Sequence, residues 1–265
     1  HNTAFQHLGL PYLYLPFAVA PSSLQAAIQA LPALGISGIN VTLPHKEAVV
    51  SFMDQLTTEA QSIGAVNTIC QQEGKLIGHN TDGIGFLAAL ERERSYTVQG
   101  KTLLLLGAGG GARAIAVQLA LAGVRKIVLA NRTTSRAEAL ADHLHRHTPL
   151  PSCLVVPWDG QVLADLLPEV ELVVNATSLG LEGRGALPIP PDRFTSQHLV
   201  CDIVYRPRIT PLLHQAQQQG AQILDGLEML LYQGALAFQY WIGEEFPLVL
   251  VRKVLRKALE TEAKQ

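Results

Sequence analysis

Residues 102–112 read TLLLLGAGGGA, an aliphatic run followed directly by a glycine-rich turn. The run Thr102–Leu106 predicts a buried parallel strand, and the pattern over Ala112–Ala122 predicts a helix. Between them, Gly107-Ala108-Gly109-Gly110-Gly111-Ala112 matches G-x-G-x-x-G/A, whose glycines let the backbone turn tightly and approach a pyrophosphate. Such a pyrophosphate meets unpaired N–H groups at the N-terminus of the helix. Residues 101–136 therefore predict a strand, turn, helix and second strand that bind a dinucleotide.

The end of the second strand of this unit indicates which dinucleotide binds. NAD-binding units carry an acidic residue there, about 20 residues after the turn, which accepts hydrogen bonds from the ribose. Here the residues are Asn131-Arg132-Thr133, with Arg136 one turn further on. Two guanidinium groups and no carboxylate suit a 2′-phosphate, which arginine binds through paired, charge-assisted hydrogen bonds. The alternative is a pair of solvated surface arginines, but the pattern favours NADP(H) over NAD(H).

The chain on either side of this unit alternates short aliphatic runs with helical patterns, as parallel βαβ units do. After the glycine turn, further strands are predicted near 126–130, 154–156, 172–175 and 199–204. Ahead of it, a separate lobe is predicted. Its strands are predicted at Tyr12–Phe17, Gly38–Thr42, Ala65–Gln71 and Lys75–Asn80, and its helices at 21–31, after Pro44 and at Gly83–Arg94. The last two strands are joined by a tight turn at Glu73-Gly74, which predicts a hairpin.

After Ile223 the pattern is helical to the end, which suggests that the chain returns to the first lobe. We therefore predict a two-lobed α/β fold. Residues 1–82 with 226–265 form an N-terminal α/β substrate domain, and residues 83–225 form a Rossmann-type parallel sheet domain that binds NADP.

The composition favours a small-molecule partner. The 22 acidic and 20 basic residues give a formal net charge of −2, so no basic surface for nucleic acid or anionic lipid is expected. Cys70, Cys153 and Cys201 are scattered, which predicts neither a zinc site nor disulfides and fits a reducing cytoplasm. The apolar stretch 224–241 contains charged residues and predicts a buried helix rather than a membrane span.

A metal site is not expected either. His143, His145 and His147 alternate at a spacing of two, which on a helix points their side chains in different directions.

Three residues of the first lobe are candidates for chemistry, because a nicotinamide cofactor needs a partner group that handles the proton of the substrate. Lys46 lies where a predicted strand runs into a helix start, but it could be one more exposed lysine. Asp82 lies at another strand-to-helix junction, where an aspartate is also an ordinary N-cap. Asn67 is an amide in a predicted buried strand and must be hydrogen-bonded to something. In the second lobe, the loop 175–180 could line the cleft or be an ordinary loop.

Taken together, these segments resemble the shikimate dehydrogenase family across essentially the whole chain. The shared motifs are Asn40-Val41-Thr42-Leu43-Pro44-His45-Lys46, Gly64-Ala65-Val66-Asn67-Thr68, Asn80-Thr81-Asp82-Gly83, the glycine turn, Asn131-Arg132-Thr133, Asn175-Ala176-Thr177-Ser178, 202–205 and 224–233. The resemblance implies an NADP-dependent enzyme that reversibly reduces 3-dehydroshikimate to shikimate on the pathway to aromatic amino acids, as a monomer or homodimer.

The resemblance also implies roles for individual residues. Lys46 and Asp82 form the catalytic pair: Lys46 donates a proton to the ketone oxygen, while Asp82 holds the ammonium group and a ring hydroxyl. The residues expected to contact the substrate are Thr42, Asn67, Tyr205 and Gln233. Those expected to contact NADP(H) are Gly107, Ala108, Gly109, Gly110, Gly111, Ala112, Asn131, Arg132, Thr133, Arg136, Thr177, Ser178, Ile203 and Gly226.

One departure from the family pattern concerns the beginning of the sequence. Family members carry a strand and a Ser-x-Ser-Pro segment ahead of the His-Asn that is His1-Asn2 here, and those serines hold the substrate carboxylate. We expect that segment to precede His1 in the natural protein.

Two alternatives stay open at this point. A quinate/shikimate dehydrogenase paralogue can accept NAD or a ring with an extra hydroxyl, and the Asn-Arg-Thr sequence argues against NAD but not against quinate. A non-catalytic NADP(H)-binding regulator could keep the fold, but the presence of both Lys46 and Asp82 counts against it.

Overall fold

A computed structural model describes residues 1–262 of the chain. Its strands are β1 (Gly38–Asn40), β2 (Gln55–Leu56), β3 (Thr68–Gln72), β4 (Lys75–His79), β5 (Thr102–Leu106), β6 (Lys126–Ala130), β7 (Cys153–Val156), β8 (Leu172–Asn175), β9 (Leu199–Asp202) and β10 (Gln222–Leu224). Its α-helices are α1 (Asn2–His7), α2 (Leu24–Ala30), α3 (Thr58–Ile63), α4 (Asp82–Arg94), α5 (Gly110–Leu121), α6 (Thr134–His147), α7 (Gly160–Leu166), α8 (Pro211–Gln218), α9 (Gly226–Ile242) and α10 (Leu248–Glu262). Short 3₁₀-helices lie at Pro21–Ser23, Ala48–Phe52, Leu167–Glu169, Leu181–Gly183 and Pro191–Arg193.

The aliphatic runs of the second lobe form one sheet of parallel strands in the order β10-β9-β8-β5-β6-β7. All five residues of β5 are buried because helices cover both faces. Leu103 and Leu105 pack with α4, α5 and α6, whereas Leu104 and Leu106 pack with α7 and α8. The predicted α/β fold with a parallel Rossmann-type sheet is therefore confirmed. The strand order reverses between β5 and β8, and in such sheets ligands bind beyond the carboxyl ends of the strands at that point.

The first lobe contains a mixed sheet in the order β1-β3-β4-β2. Strands β3 and β4 form the predicted hairpin, and its turn residues Glu73 and Gly74 have φ angles of 51° and 78°. Two positive φ values are typical of the tight turn whose twist matches an antiparallel pair. Val49, Val66 and Ile69 lie in the separate hydrophobic core of this lobe.

The strand predicted at Tyr12–Phe17 is wrong. Asn2 replaces a neighbouring strand there, because its side chain donates to the Tyr14 carbonyl (2.9 Å) and accepts from the Tyr14 N–H (2.7 Å). Leu13 and Phe17 are 71% and 69% exposed, so the alternating apolar residues gain no buried face. The helix predicted after Pro44 is reduced to the 3₁₀-helix Ala48–Phe52.

The C-terminal helices pack against the N-terminal helix. Phe5 of α1, Leu231 and Phe238 of α9 and Val251 of α10 share one hydrophobic cluster. This contact supports a discontinuous first domain, whose limits stay a prediction. Within residues 1–262 there is no helix that combines the length and the apolar character needed to cross a membrane.

Candidate active site

Lys46, Asp82 and Asn67 meet in one hydrogen-bonded cluster at the start of α4. The ammonium Nζ of Lys46 donates to Oδ2 of Asp82 at 2.7 Å, and the amide of Asn67 donates to Oδ1 at 2.9 Å. Each carboxylate oxygen therefore has a donor, which fixes the plane of the carboxylate. The side chain of Lys46 keeps 21% of its surface exposed, whereas that of Asp82 keeps 11%. Lys46 is thus held by a buried anion and still accessible to a substrate.

Thr81 connects this cluster to Gln233, and the sequence did not single it out. The Oδ1 atom of Asn67 accepts from the backbone N–H of Thr81 at 2.8 Å, and the Asn67 amide lies 3.0 Å from the Thr81 hydroxyl. That hydroxyl is in turn 3.5 Å from Oε1 of Gln233 on α9. Thr81 lies inside a quoted motif, but no local pattern shows which way its hydroxyl points.

The glycine turn forms an open cradle at the N-terminus of α5. Gly107 has a φ of 109°, and a Cβ there would lie 2.8 Å from the carbonyl oxygen of Ala176, so this position requires glycine. At Gly109 and Gly110 no protein atom lies within 4 Å of an ideal Cβ, which leaves room for a ligand against the backbone. A space lined by backbone at a helix N-terminus suits a pyrophosphate, so this chain fits the dinucleotide.

Several predicted cofactor residues gather around this cradle. An ideal Cβ on Gly111 would lie 3.2 Å from the side chain of Ile203, and one on Gly226 would lie 2.5 Å from the Ile203 carbonyl oxygen. Thr177 is anchored next to Gly107, because its hydroxyl donates to the Asn175 side chain at 2.7 Å. Ala108 and Ala112 complete the turn itself.

The remaining predicted residues lie at the edges of this site. Asn131, Arg132, Thr133 and Arg136 follow β6, beside the turn, and both arginine side chains are exposed to solvent. Ser178 and Thr42 are exposed as well, and Tyr205 is half-buried. The hydrogen bonds described for residues 1–262 do not join Thr42 or Tyr205 to the Lys46 cluster.

The cluster and the cradle are adjacent because α4 packs against α5. A Cβ on Gly83 would lie 2.5 Å from the carbonyl oxygen of Ala114 on α5, so the first turn of α4 touches the helix that the glycine turn opens. Arg113 of α5 also forms an ion pair with Glu47, the neighbour of Lys46. The sequence did not indicate this pair, since its members are 66 residues apart.

The described part of the chain contains no group of three or more His, Cys, Asp or Glu side chains placed to hold a metal ion. A parallel dinucleotide-binding sheet beside a partly buried lysine–aspartate pair defines the class of protein, a two-lobed oxidoreductase that uses a dinucleotide.

Comparison with known proteins agrees with this class. Family models match residues 1–69 (shikimate dehydrogenase substrate-binding domain), 89–182 (shikimate/quinate 5-dehydrogenase) and 226–256 (shikimate 5′-dehydrogenase C-terminal domain). The shikimate dehydrogenase (NADP⁺) of Desulforamulus reducens is 46% identical over 97% of this chain and 89% of its own length. The chain belongs to the shikimate dehydrogenase family, as its motifs predict.

Solved structures agree in fold. Shikimate 5-dehydrogenase from Listeria monocytogenes, in complex with shikimate and NAD, is 37% identical with a TM-score of 0.90 and covers 96% of this chain and 90% of that one. The Thermus thermophilus enzyme, in complex with NADP(H) and shikimate, is 38% identical with a TM-score of 0.85 and covers 97% and 92%.

Proposed function

We propose that this protein catalyses the reversible, NADP(H)-dependent reduction of 3-dehydroshikimate to shikimate in the pathway to aromatic amino acids. The observation that carries the proposal is the Lys46–Asp82 pair, held at 2.7 Å beside the helix of the glycine turn. The shikimate dehydrogenase (NADP⁺) of Desulforamulus reducens, which is 46% identical over 97% of this chain, supports the same activity.

Lys46 is the proton donor in this proposal. When bound, NADPH supplies the hydride that the carbonyl carbon receives. The ammonium of Lys46 donates its proton to the carbonyl oxygen as negative charge develops there, and its partial exposure lets solvent return the proton. Asp82 holds the ammonium in place through its Oδ2 atom, while Asn67 fixes the orientation of the same carboxylate. In the reverse direction, the same groups withdraw the proton from the hydroxyl of shikimate.

The other site residues keep their predicted roles within the proposal. Substrate contacts are assigned to Thr42, Asn67, Tyr205 and Gln233, and support comes from the hydrogen-bonded chain that joins Asn67 to Gln233. Cofactor contacts are assigned to the glycine turn, 131–136, Thr177, Ser178, Ile203 and Gly226, and support comes from the packing of Ile203 and Gly226 at the cradle. We also propose a cytoplasmic location, in keeping with the free thiols of the three cysteines.

The decisive experiment measures initial rates of NADP⁺ reduction by absorbance, with the natural full-length protein. Four matched mixtures combine shikimate or quinate with NADP⁺ or NAD⁺. We expect shikimate with NADP⁺ to give the highest kcat/KM. A higher value with quinate would instead support the quinate/shikimate paralogue. No turnover in any mixture, by protein that binds NADP⁺, would support the non-catalytic regulator.

A further inference from the structure

Asp202, the last residue of β9, is a buried carboxylate outside the Lys46 cluster. It is 2% exposed, and three donors from three different segments surround it. The amide of Asn175 and the backbone N–H of Val204 each donate to Oδ1 at 2.9 Å, and the hydroxyl of Thr210 donates to Oδ2 at 2.7 Å. Charge-assisted hydrogen bonds of this kind are stronger than neutral ones.

Two of these donors belong to loops that border the dinucleotide cradle. Asn175 also fixes the position of Thr177, because its Oδ1 atom accepts hydrogen bonds from the backbone N–H (3.0 Å) and the hydroxyl (2.7 Å) of that residue. Val204 follows Ile203, whose side chain packs at Gly111. A single carboxylate therefore ties the loop after β8 to the loop after β9.

The third donor fixes the far end of the loop after β9. Thr210 is the N-cap of α8, where its hydroxyl accepts from the backbone N–H of Leu213 at 3.4 Å. Residues 203–210 are thus anchored at both ends by Asp202, with Tyr205 between the anchors.

We propose that Asp202 is a positioning residue whose ionised carboxylate holds the loops 175–179 and 203–210 in the arrangement that receives the dinucleotide and the substrate. The identity of these two ligands rests on the proposed function. Asp202 itself acts through Thr177, Ile203 and Tyr205 rather than by touching the ligands.

Protonation of Asp202 conflicts with this arrangement. Burial raises its pKa to about 6, although its hydrogen bonds to Thr210, Val204 and Asn175 each act in the opposite direction. The Asn175 amide and the Val204 N–H can only donate, so a protonated Asp202 can give its proton only to the Thr210 hydroxyl, which must then change from donor to acceptor. All three contacts also lose the strength that the negative charge gives them. The hydrogen bonds that join the two loops to Asp202 are therefore at full strength above about pH 7 and weakened below pH 6.

Several other ionisable residues lie near Asp202. The ionisable residues on the elements around it are Cys201 on β9, Tyr205, Arg206 and Arg208 on the following loop, Glu182 and Arg184 on the turn 180–185, His214 on α8 and Asp225 before α9. Burial raises the pKa of the Cys201 thiol, so this neighbour stays neutral. Arg208 is paired with Asp225, and Arg184 with Glu182.

A cavity of about 220 Å³ beside Asp202 gives the loops space to rearrange. Its lining includes Leu179, Leu187 and Leu212, and among the lining residues described Asp202 is the only ionisable one. Thr210 also lines this cavity, so loss of its hydrogen bond to Asp202 leaves its hydroxyl facing an open space rather than packed side chains.

Four variants test the inference: Asp202→Asn, Thr210→Val, Thr210→Ser and the control Thr148→Val. The hydroxyl of Thr148 bonds only locally, to the Leu144 carbonyl at 2.7 Å and the Leu150 N–H at 3.3 Å, and is remote from the cradle. The dissociation constant of NADP⁺ is measured by calorimetry from pH 5 to pH 8, and kcat/KM for shikimate is measured at saturating NADP⁺. Because the 2′-phosphate titrates in the same range, each value is divided by that of the wild type, which cancels the titration of the ligand.

At pH 8 we expect Asp202→Asn to raise the dissociation constant roughly tenfold over the wild type, and the ratio to approach one at pH 5, where the wild type has lost the same carboxylate. Thr210→Val removes a hydrogen bond that favours the ionised form of Asp202. The loss of NADP⁺ affinity at low pH should therefore begin about one pH unit higher in this variant than in the wild type. Thr210→Ser and Thr148→Val should follow the wild type.

The inference is overturned if the dissociation constant of Asp202→Asn, divided by that of the wild type, stays at one or is equally raised at every pH. If circular dichroism shows that Asp202→Asn does not fold, the test is Thr210→Val. The inference is then overturned if the NADP⁺ affinity of Thr210→Val falls at the same pH as that of the wild type. A wild type that binds NADP⁺ with the expected profile but does not oxidise shikimate refutes only the proposed function.

Discussion

Replacing Lys46 by arginine tests whether the site needs the positive charge of Lys46 or its ability to donate a proton. Arginine keeps a cation near Asp82 but does not release a proton at working pH, whereas Lys46→Met removes both the charge and the proton. If Lys46 is the proton donor, both variants should lower kcat by about two to four orders of magnitude, the usual effect of losing a positioned acid or base. If the charge alone matters, arginine should restore most of the activity.

The structure also sets the cost of the methionine variant in stability. Breaking a buried ion pair from one side costs about 3–5 kcal/mol. Here the pair is partly solvated, with 21% and 11% of the two side chains exposed, and Asn67 still satisfies one oxygen of Asp82, so about 1–2 kcal/mol is expected. For a protein of this size that lowers Tm by roughly 3–6 °C. Lys46→Arg should lie closer to the wild type.

The assay compares steady-state rates in H₂O and D₂O and thermal unfolding for the wild type and both variants. Proton donation by Lys46 predicts a solvent isotope effect in the wild type and slow turnover in both variants at unchanged KM. The reasoning is refuted if Lys46→Arg turns over within tenfold of the wild type. It is equally refuted if Lys46→Met raises KM alone, which would make Lys46 a binding residue.

Three further predictions concern the cofactor loops. Arg132→Ala should raise the dissociation constant for NADP(H) far more than that for NAD(H) in calorimetry, and equal changes would contradict the 2′-phosphate assignment. Gly226→Ala should lower Tm, because its Cβ would lie 2.5 Å from the Ile203 carbonyl oxygen, whereas Gly234→Ala on the same helix meets its nearest atoms at 3.9 Å and should be neutral. The raised pKa of Asp202, about 6 against 3.8, means that the folded state binds the extra proton. Its contribution to the free energy of unfolding should thus fall by about 2 kcal/mol as pH rises from 4 to 6, a slope that denaturant titrations should find missing in Asp202→Asn.

The second lobe could be predicted from the sequence because its signals are local. The run Thr102–Leu106 is aliphatic throughout, and the structure buries every one of its residues. The hairpin at Glu73-Gly74 could also be predicted, since its turn depends on two adjacent residues. Tyr12–Phe17 has an equally good strand pattern, but a strand exists only when a distant segment pairs with it, and here Asn2 satisfies the backbone instead. The two-residue strand β2 is too short to leave a pattern.

The candidate site was harder to predict from the sequence, because each of its residues could also have an ordinary structural role. As an N-cap, Asp82 would bond the backbone of α4, but in the structure Thr81 precedes the helix and the Asp82 carboxylate binds Lys46. The sequence could not show this, since the two residues are 36 positions apart. Only the resemblance to a family selected them. The pair between Arg113 and Glu47 had no such guide.

The first turn of α4 explains why the two halves of the site lie together. Asp82 begins the helix and holds the lysine, while Gly83 faces the Ala114 carbonyl of α5 at a distance that excludes any side chain. Two residues later, a Cβ on Gly85 would lie 2.6 Å from the backbone nitrogen of Gln233 on α9. The glycines of this segment therefore let one helix contact both α5, which begins at the glycine turn, and α9, which carries Gln233. The short motif after β4 thus sets the distance between Lys46 and the glycine turn, which neither lobe could fix alone.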